Sequence, residues 1–347
     1  MAHHLDAVQT LLSNSQLDAL LLYGTEHDDP SYVSWILGAP VFETTFVVVT
    51  RSRTDMFVPR WRMTDAREVF RKTLAHIHGV PSKTFMMPTM LEFLPINPAI
   101  GYAGNVPYKE LMCIPDATFV CLEDELNTMM AVKTAQEIDI LKRAANTTRR
   151  RMSAFDWKSH IGRTERFIAD RIQKAFGSKH PLGHLSLVTG SRTKQTSAAL
   201  PSTRRLCPHD VICWDVGIRL HGYRSDLSDC VFLGNAIKYQ SAYEKQKRAV
   251  RSTARHITDG TRSMDVPHLL TTAFTNVGLG SFLLSTDLGH GIGMSAHEAP
   301  DIGQDAHILR AGTVFTLEPD MRLPDGTLLR YEEMFYIGDD KKTRLLT

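Results

Sequence analysis

The chain is short of anything that would mark it for a charged or a lipid surface. Forty lysines and arginines stand against 38 aspartates and glutamates, a formal net charge of +2 over 347 residues. So even a balance gives no case for nucleic acid or an anionic membrane as partner. No apolar run approaches the roughly 18 residues that a membrane-spanning helix requires. The opening MAHHLDAVQTLL lacks a basic segment followed by an apolar one, so no secretory signal is expected. The five cysteines (Cys113, Cys121, Cys207, Cys213 and Cys230) are odd in number and form no Cys-x-x-Cys pair. A reducing, cytoplasmic setting is therefore the expectation. Cys213 and Cys230 read as small buried hydrophobes.

What is present is a globular composition, 43% hydrophobic and 22% charged, in a chain too long for one core, so two domains are expected. Residues 1–127 read as a smaller α/β unit. Helices are expected over Leu5–Leu12 and Met63–Lys72, and strands over Ala19–Tyr23, Thr45–Thr50, Ala99–Gly104 and Thr118–Leu122. His27, Asp28 and Asp29 form a polar cluster that reads as a solvated turn before Pro30.

The second unit, 128–347, opens on a capping box, Thr134-Ala135-Gln136-Glu137, followed by apolar residues at helical spacing. Arg149-Arg150-Arg151 on that helix reads as a solvated face. A second helix over Thr164–Phe176 stops at Gly177, and a polar loop follows over Thr189–Arg205. Helices are also expected over Ser241–Ile257 and near Val266–Phe274. Helix, helix, hairpin then occurs twice, which suggests a duplication of fold without a residue-level repeat.

Each hairpin carries two acids. In CWDVGIRLHGYRSDLSD, Asp215 and Asp226 lie eleven residues apart between apolar runs. A fold about Leu220–His221 sets them directly opposite, on one face. In FTLEPDMRLPDGTLLRYEEMFYI, the Pro324-Asp325-Gly326 turn sets Glu318 opposite Glu332, and Glu333 then points to the other face. Acids so close repel unless a cation lies between them, and charged residues on apolar strands are seldom buried without a partner or a metal. Between the hairpins, His290 sits among glycines in Leu-Gly-His-Gly-Ile-Gly, with His297 seven residues on. Those glycines leave the backbone open to close approach, and a four-carboxylate site would take His290 as its neutral nitrogen donor.

Asp-x-Gly with a second Asp eleven residues on, then Gly-His-Gly-Ile-Gly, His-Glu-x-Pro, Glu-Pro and Arg-x-Glu, in that order, resembles the pita-bread metallopeptidases. The likeness is to the branch of prolidase (Xaa-Pro dipeptidase), aminopeptidase P and creatinase. It covers residues 130–347, and more loosely the N-terminal unit through LDALLLY and SYVSWILG. It implies an α+β fold: a pita-bread C-terminal domain, with a curved antiparallel sheet and helices outside, behind a creatinase-type α/β N-terminal domain. It further implies two divalent metals held by Asp215, Asp226, His290, Glu318 and Glu332. Asp226 and Glu332 would bridge, Asp215 would serve one metal, and His290 and Glu318 the other. Such a donor set suits Mn first, with Co, Fe or Zn as alternatives, and metal pairs about 3.5–4 Å apart serve hydrolysis by generating a hydroxide nucleophile. By the same likeness Glu318 passes the proton to the leaving nitrogen, His297 bonds the substrate carbonyl, and Arg330 orients a carboxylate or holds substrate. The implied substrate is a dipeptide or short peptide with proline second. A homodimer whose N-terminal domains cap neighbouring sites is the implied assembly.

The chain departs from the family at several points. The histidine usually found seventeen residues before the first Asp ligand is replaced by Ala198; His184 and His209 are the candidates to stand in for it. Asp229, Asp320 and Glu333 replace an Arg, a Gly and an Asp beside the metals, adding negative charge that bears on substrate choice. Two other readings compete with an Xaa-Pro peptidase. One is a metal hydrolase of a small non-peptide amide or amidine, on the layout of creatinase. The other is a pita-bread binding module without catalysis, which such relatives reach by losing the ligands that this chain keeps.

Overall fold

A computed structural model describes residues 2–25, 32–82 and 86–347. The His27–Asp29 cluster lies outside them. The chain divides into two compact units, Met1–Met130 and Ala131–Thr347. Among the described residues no helix is long and apolar enough to cross a membrane.

In the first unit α1 (Ala2–Asn14), β1 (Ala19–Gly24), α2 (Tyr32–Leu37), β2 (Thr45–Thr50), β3 (Thr54–Pro59), α3 (Met63–Val69), β4 (His76–Val80), α4 (Met86–Leu91), β5 (Ala99–Ala103), α5 (Tyr108–Leu111), β6 (Thr118–Cys121) and α6 (Glu123–Ala131) follow in order. The strands form one six-stranded sheet, β4-β3-β2-β1-β5-β6, with β1–β3 antiparallel and the flanking pairs parallel. Leu21, Val48, Phe57 and Ile100 from four of these strands share one core with Met86 and Met90 of α4. The expected strands all form. The helix at Met63 ends at Val69, short of the expected Lys72.

The second unit begins with α7 (Ala135–Ser153), whose capping box is formed by Thr134 and Glu137, and α8 (Glu165–Phe176), capped by Thr164 and ended by Gly177 at φ 69°. There follow β7 (Leu182–Thr189), β8 (Val211–Leu220), β9 (Tyr223–Arg224), β10 (Leu227–Phe232), α9 (Gln240–His256), α10 (Val266–Asn276), β11 (His290–Gly291), β12 (Glu298–Asp301), β13 (Val314–Leu317), β14 (Asp320–Arg322), β15 (Leu328–Arg330), β16 (Glu333–Ile337) and β17 (Thr343–Leu345). The strands pair antiparallel throughout, as β10-β8-β7 with β9 on β8, as β12-β11-β13-β16-β17, and as the β14-β15 ribbon. Val250 of α9 and Phe274 of α10 pack into a core with Phe315, Leu317, Leu329 and Phe335. Cys213 and Cys230, paired across β8 and β10, are buried thiols with their sulfurs 3.3 Å apart.

The two hairpins answer differently to the sequence. In the second, the Leu317↔Glu333 and Asp320↔Arg330 pairs share one register, so Glu318 faces Glu332 at the gap between the ribbons, as expected. In the first, Leu220 pairs with Tyr223 and Asp215 with Ser228, not with Asp226. The turn is His221-Gly222, at φ 51° and 90°. A two-residue type I′ turn needs positive φ at both central positions, which Gly takes freely and His far more readily than a leucine. The centre therefore slips by one residue, and Asp226 becomes the diagonal neighbour of Asp215.

Candidate metal centre

Gly217 lies on β8 between β7 and β10, and its missing side chain shapes the centre. His184 is paired with it from β7, just after a bulge between Leu182 and His184. On its other flank Asp226 falls between the Arg219↔Arg224 and Val216↔Leu227 pairs. A Cβ on Gly217 would lie 1.9 Å from the Ser225 carbonyl and 2.3 Å from the His184 ring. The bare position lets His184 and Asp226 meet across the strand. His184 Nε2 bonds Asp215 Oδ1 at 2.9 Å and lies 2.9 Å from Asp226 Oδ1. Sequence spacing placed no strand over Leu182–Thr189. The signal was there in the alternation of LGHLSLVT, hidden by the glycine and histidine within it.

From the other side come His290 of β11 and the two glutamates. His290 Nε2 stands 3.1 Å from Glu318 Oε1 and 4.0 Å from both Asp226 Oδ2 and Glu332 Oε1. Its Nδ1 lies 3.0 Å from the Gly291 carbonyl, which fixes the ring. The glycines around His290 admit the chain itself: a Cβ on Gly289 would strike the Thr316 carbonyl, on Gly291 the Ala299 carbonyl, and on Gly293 the Glu298 carboxylate. The Glu318 amide bonds the Leu288 carbonyl at 3.0 Å, and the Glu332 amide bonds the Ser228 carbonyl at 3.1 Å, tying β10 to the residue before β16.

Arg330 binds Glu318 Oε2 at 2.9 Å and grips both oxygens of Asp320 at 3.0 and 3.2 Å. It is thus occupied in orienting carboxylates. His297 is exposed and stacks obliquely beside His290, ring centres 4.2 Å apart. Ala198 stands in a loop that touches this region through Ser197, whose hydroxyl donates to Asp320 at 2.7 Å. His209 lies elsewhere, accepting a hydrogen bond from the Asn235 amide.

The added acids do not crowd the centre with charge. Asp229 and Glu333 alternate to the far face from Ser228 and Glu332, where Arg149 binds both at 3.1 and 2.7 Å. Lys247 also reaches Asp229. Arg149 is therefore part of a half-buried ion pair and not of a solvated face, because α7 lays it against those strands. Asp320, the third added acid, is neutralised by Arg330.

Burial and crowding set the protonation of the metal-free cluster. Burial, then the charges of Asp226, Glu318 and Asp215, push Glu332 well above the usual carboxylate range. Burial and the Asp226 charge also raise Asp215. Burial would raise Asp226 too, but the nearby charges of His184 and His290 hold it below the usual range. Burial opposes charge on both histidines and is outweighed. The Asp226 charge and the bond to Asp215 push His184 up to about 10, and Glu318 and Asp226 push His290 up to about 9.

Divalent ions fit these residues. Among the described residues no hydrogen bond reaches the buried Glu332 Oε1, and the buried Asp226 Oδ1 has beside it only the His184 nitrogen that already bonds Asp215. Buried acceptors left without donors are costly, and these two face the same cluster. Oxygen ligands with imidazole are the donor set of divalent first-row metals. Ligand atoms of His184, Asp215 and Asp226 lie within 4.8 Å of one another, as do those of Asp226, His290 and Glu332.

Residues 139–339 match the profile of metallopeptidase family M24. The chain belongs to that family. Divalent metal ions are accordingly the cofactor of this M24 protein. It is 24% identical over 335 residues to the Xaa-Pro dipeptidase of Pyrococcus furiosus, covering 91% of each chain. Its fold is the pita-bread fold of the prolidases. The prolidase of Pyrococcus horikoshii superposes with a TM-score of 0.81 at 20% identity, over 99% of this chain and 97% of that one. The N-terminal domain of the FACT complex subunit SPT16 from chickpea shares the fold as well, with a TM-score of 0.76 at 16% identity, over 99% and 93% of the two chains.

Proposed function

We propose that this M24 protein is an Xaa-Pro dipeptidase, hydrolysing the amide bond before proline in dipeptides, with two divalent metals held by Asp215, Asp226, His290, Glu318 and Glu332. The observation that carries the reading is the buried Glu332 Oε1, unpartnered and turned towards Asp226 and His290. That atom separates this chain from a fold kept for binding alone. Bound there, the metals would activate water and polarise the scissile carbonyl. Glu318 would move the proton from the attacking water to the prolyl nitrogen. Arg330 would hold Glu318 in its working orientation, and His297, exposed beside His290, would donate to the carbonyl oxygen as charge develops on it. The relatives' dipeptidase name supports a two-residue substrate.

Manganese is the first metal to test. A homodimer is proposed by family resemblance, and a cytoplasmic location is supported by five free thiols. Metal-stripped protein should cleave Xaa-Pro dipeptides only after Mn(II) or Co(II) is restored, with creatine and longer Xaa-Pro peptides as comparison substrates. Glu318→Gln should lower kcat by at least about a hundredfold, the lower end of what a positioned proton-transfer group contributes. Metal uptake without turnover of any Xaa-Pro substrate would overturn the assignment.

A further inference from the structure

We propose that His184 is itself a metal ligand, so that each of the two metal positions has its own imidazole. This rests on the metal reading above and extends it to a residue outside the five.

The two ligand groupings have the same make-up. His184, Asp215 and Asp226 form one, and Asp226, His290 and Glu332 the other; each has a single histidine, and they share Asp226. His184 Nε2 lies 2.9 Å from an oxygen of Asp215 and 2.9 Å from an oxygen of Asp226. One ring nitrogen carries at most one proton and can donate to only one of them. A cation among the three atoms satisfies both carboxylates at once and takes the nitrogen lone pair as well. The local fold is built to bring the ring there. The bulge at Leu182–His184 aims it, and the bare Gly217 backbone gives it room. The imidazole adds a donor to the Asp215 position without adding charge to a cluster that already holds four carboxylates. A second nitrogen also moves the pair's preference away from manganese towards cobalt and zinc.

Metal-stripped wild type, His184→Ala, His184→Asn and the control His209→Ala are titrated with Co(II) by calorimetry. Exchangeable imidazole N–H signals shifted by the paramagnetic metal are counted by NMR. Wild type and His209→Ala should take up two equivalents and show two such signals, from His184 and His290. Both His184 variants should keep the His290 signal, which also shows the centre intact, and lose the other. Even an outer partner of a metal ligand is typically worth about 10- to 100-fold in affinity, so loss of a direct ligand should weaken one equivalent by about tenfold or more. The loss should be larger for cobalt than for manganese.

A single shifted signal in wild type would place His184 outside the metal shell and overturn the proposal. So would two equivalents of unchanged affinity in the His184 variants. Failure of wild type to bind cobalt at all would defeat the metal reading itself, and this inference with it.

Discussion

At the residue scale the metal-free centre is a store of protons. His184 and His290, raised to about 10 and about 9, are charged at neutral pH, and burial and neighbouring carboxylates push Glu332 well above the usual carboxylate range. Both histidines titrate near 6.5 in an unfolded chain. Their contribution to stability is therefore whole below about pH 6.5 and is lost as pH rises through about 9 to 10; Glu332 acts in the same sense. Metal ligands must be deprotonated, so metal affinity should climb over the same range. Calorimetry of Mn(II) binding near pH 7.5, in buffers of different ionisation enthalpy, should report proton release, with the metal-free Tm falling towards pH 10. Binding that released no protons would contradict the geometry. The five residues proposed as ligands were legible as a set because each stands in a short motif with its own turn or glycine. His184 was legible only as one of two candidates to stand in for the missing histidine: nothing in its neighbours announces that Gly217, 33 positions on, leaves it room.

At the scale of elements, register decides which acids meet. Leu-Pro-Asp-Gly-Thr announced its loop, and the register on both sides of it was correct down to Glu318 and Glu332. The first hairpin was misplaced by one residue, because its turn uses a histidine at positive φ in a position that composition alone does not mark. The error was small in consequence, since diagonal neighbours on one face still reach each other. Charge on the far side of these strands was harder to read. The partner of Asp229 and Glu333 comes from α7, and a helix's rotation against a sheet is set by packing, not by the order of residues. Gly217→Ala tests the middle strand. The added carbon meets a carbonyl and the His184 ring, so the variant should lose about 1–3 kcal/mol in denaturant unfolding. It should also lose affinity for metal at the Asp215 position. Unchanged stability together with unchanged metal uptake would show that the strand yields freely.

Across the whole molecule, chain length and the capping box at Thr134–Glu137 led to an expected border at 127/128, and the two compact units of the structure meet at Met130 and Ala131. The sheet orders were not visible, because pairing partners such as β13 and β16 are brought together by contacts distant in sequence. In the C-terminal unit, the amides of Glu318 and Glu332 are sewn to Leu288 and Ser228, outside their own hairpin. If metals are held there as proposed, a chelator would have to wait for a seam between sheets to part before it could strip them. Metal loss should run at the pace of the slowest hydrogen–deuterium exchange in the unit, and those two amides should be among the last to exchange. Their rapid exchange in the loaded protein would mean that the ions leave through an open door.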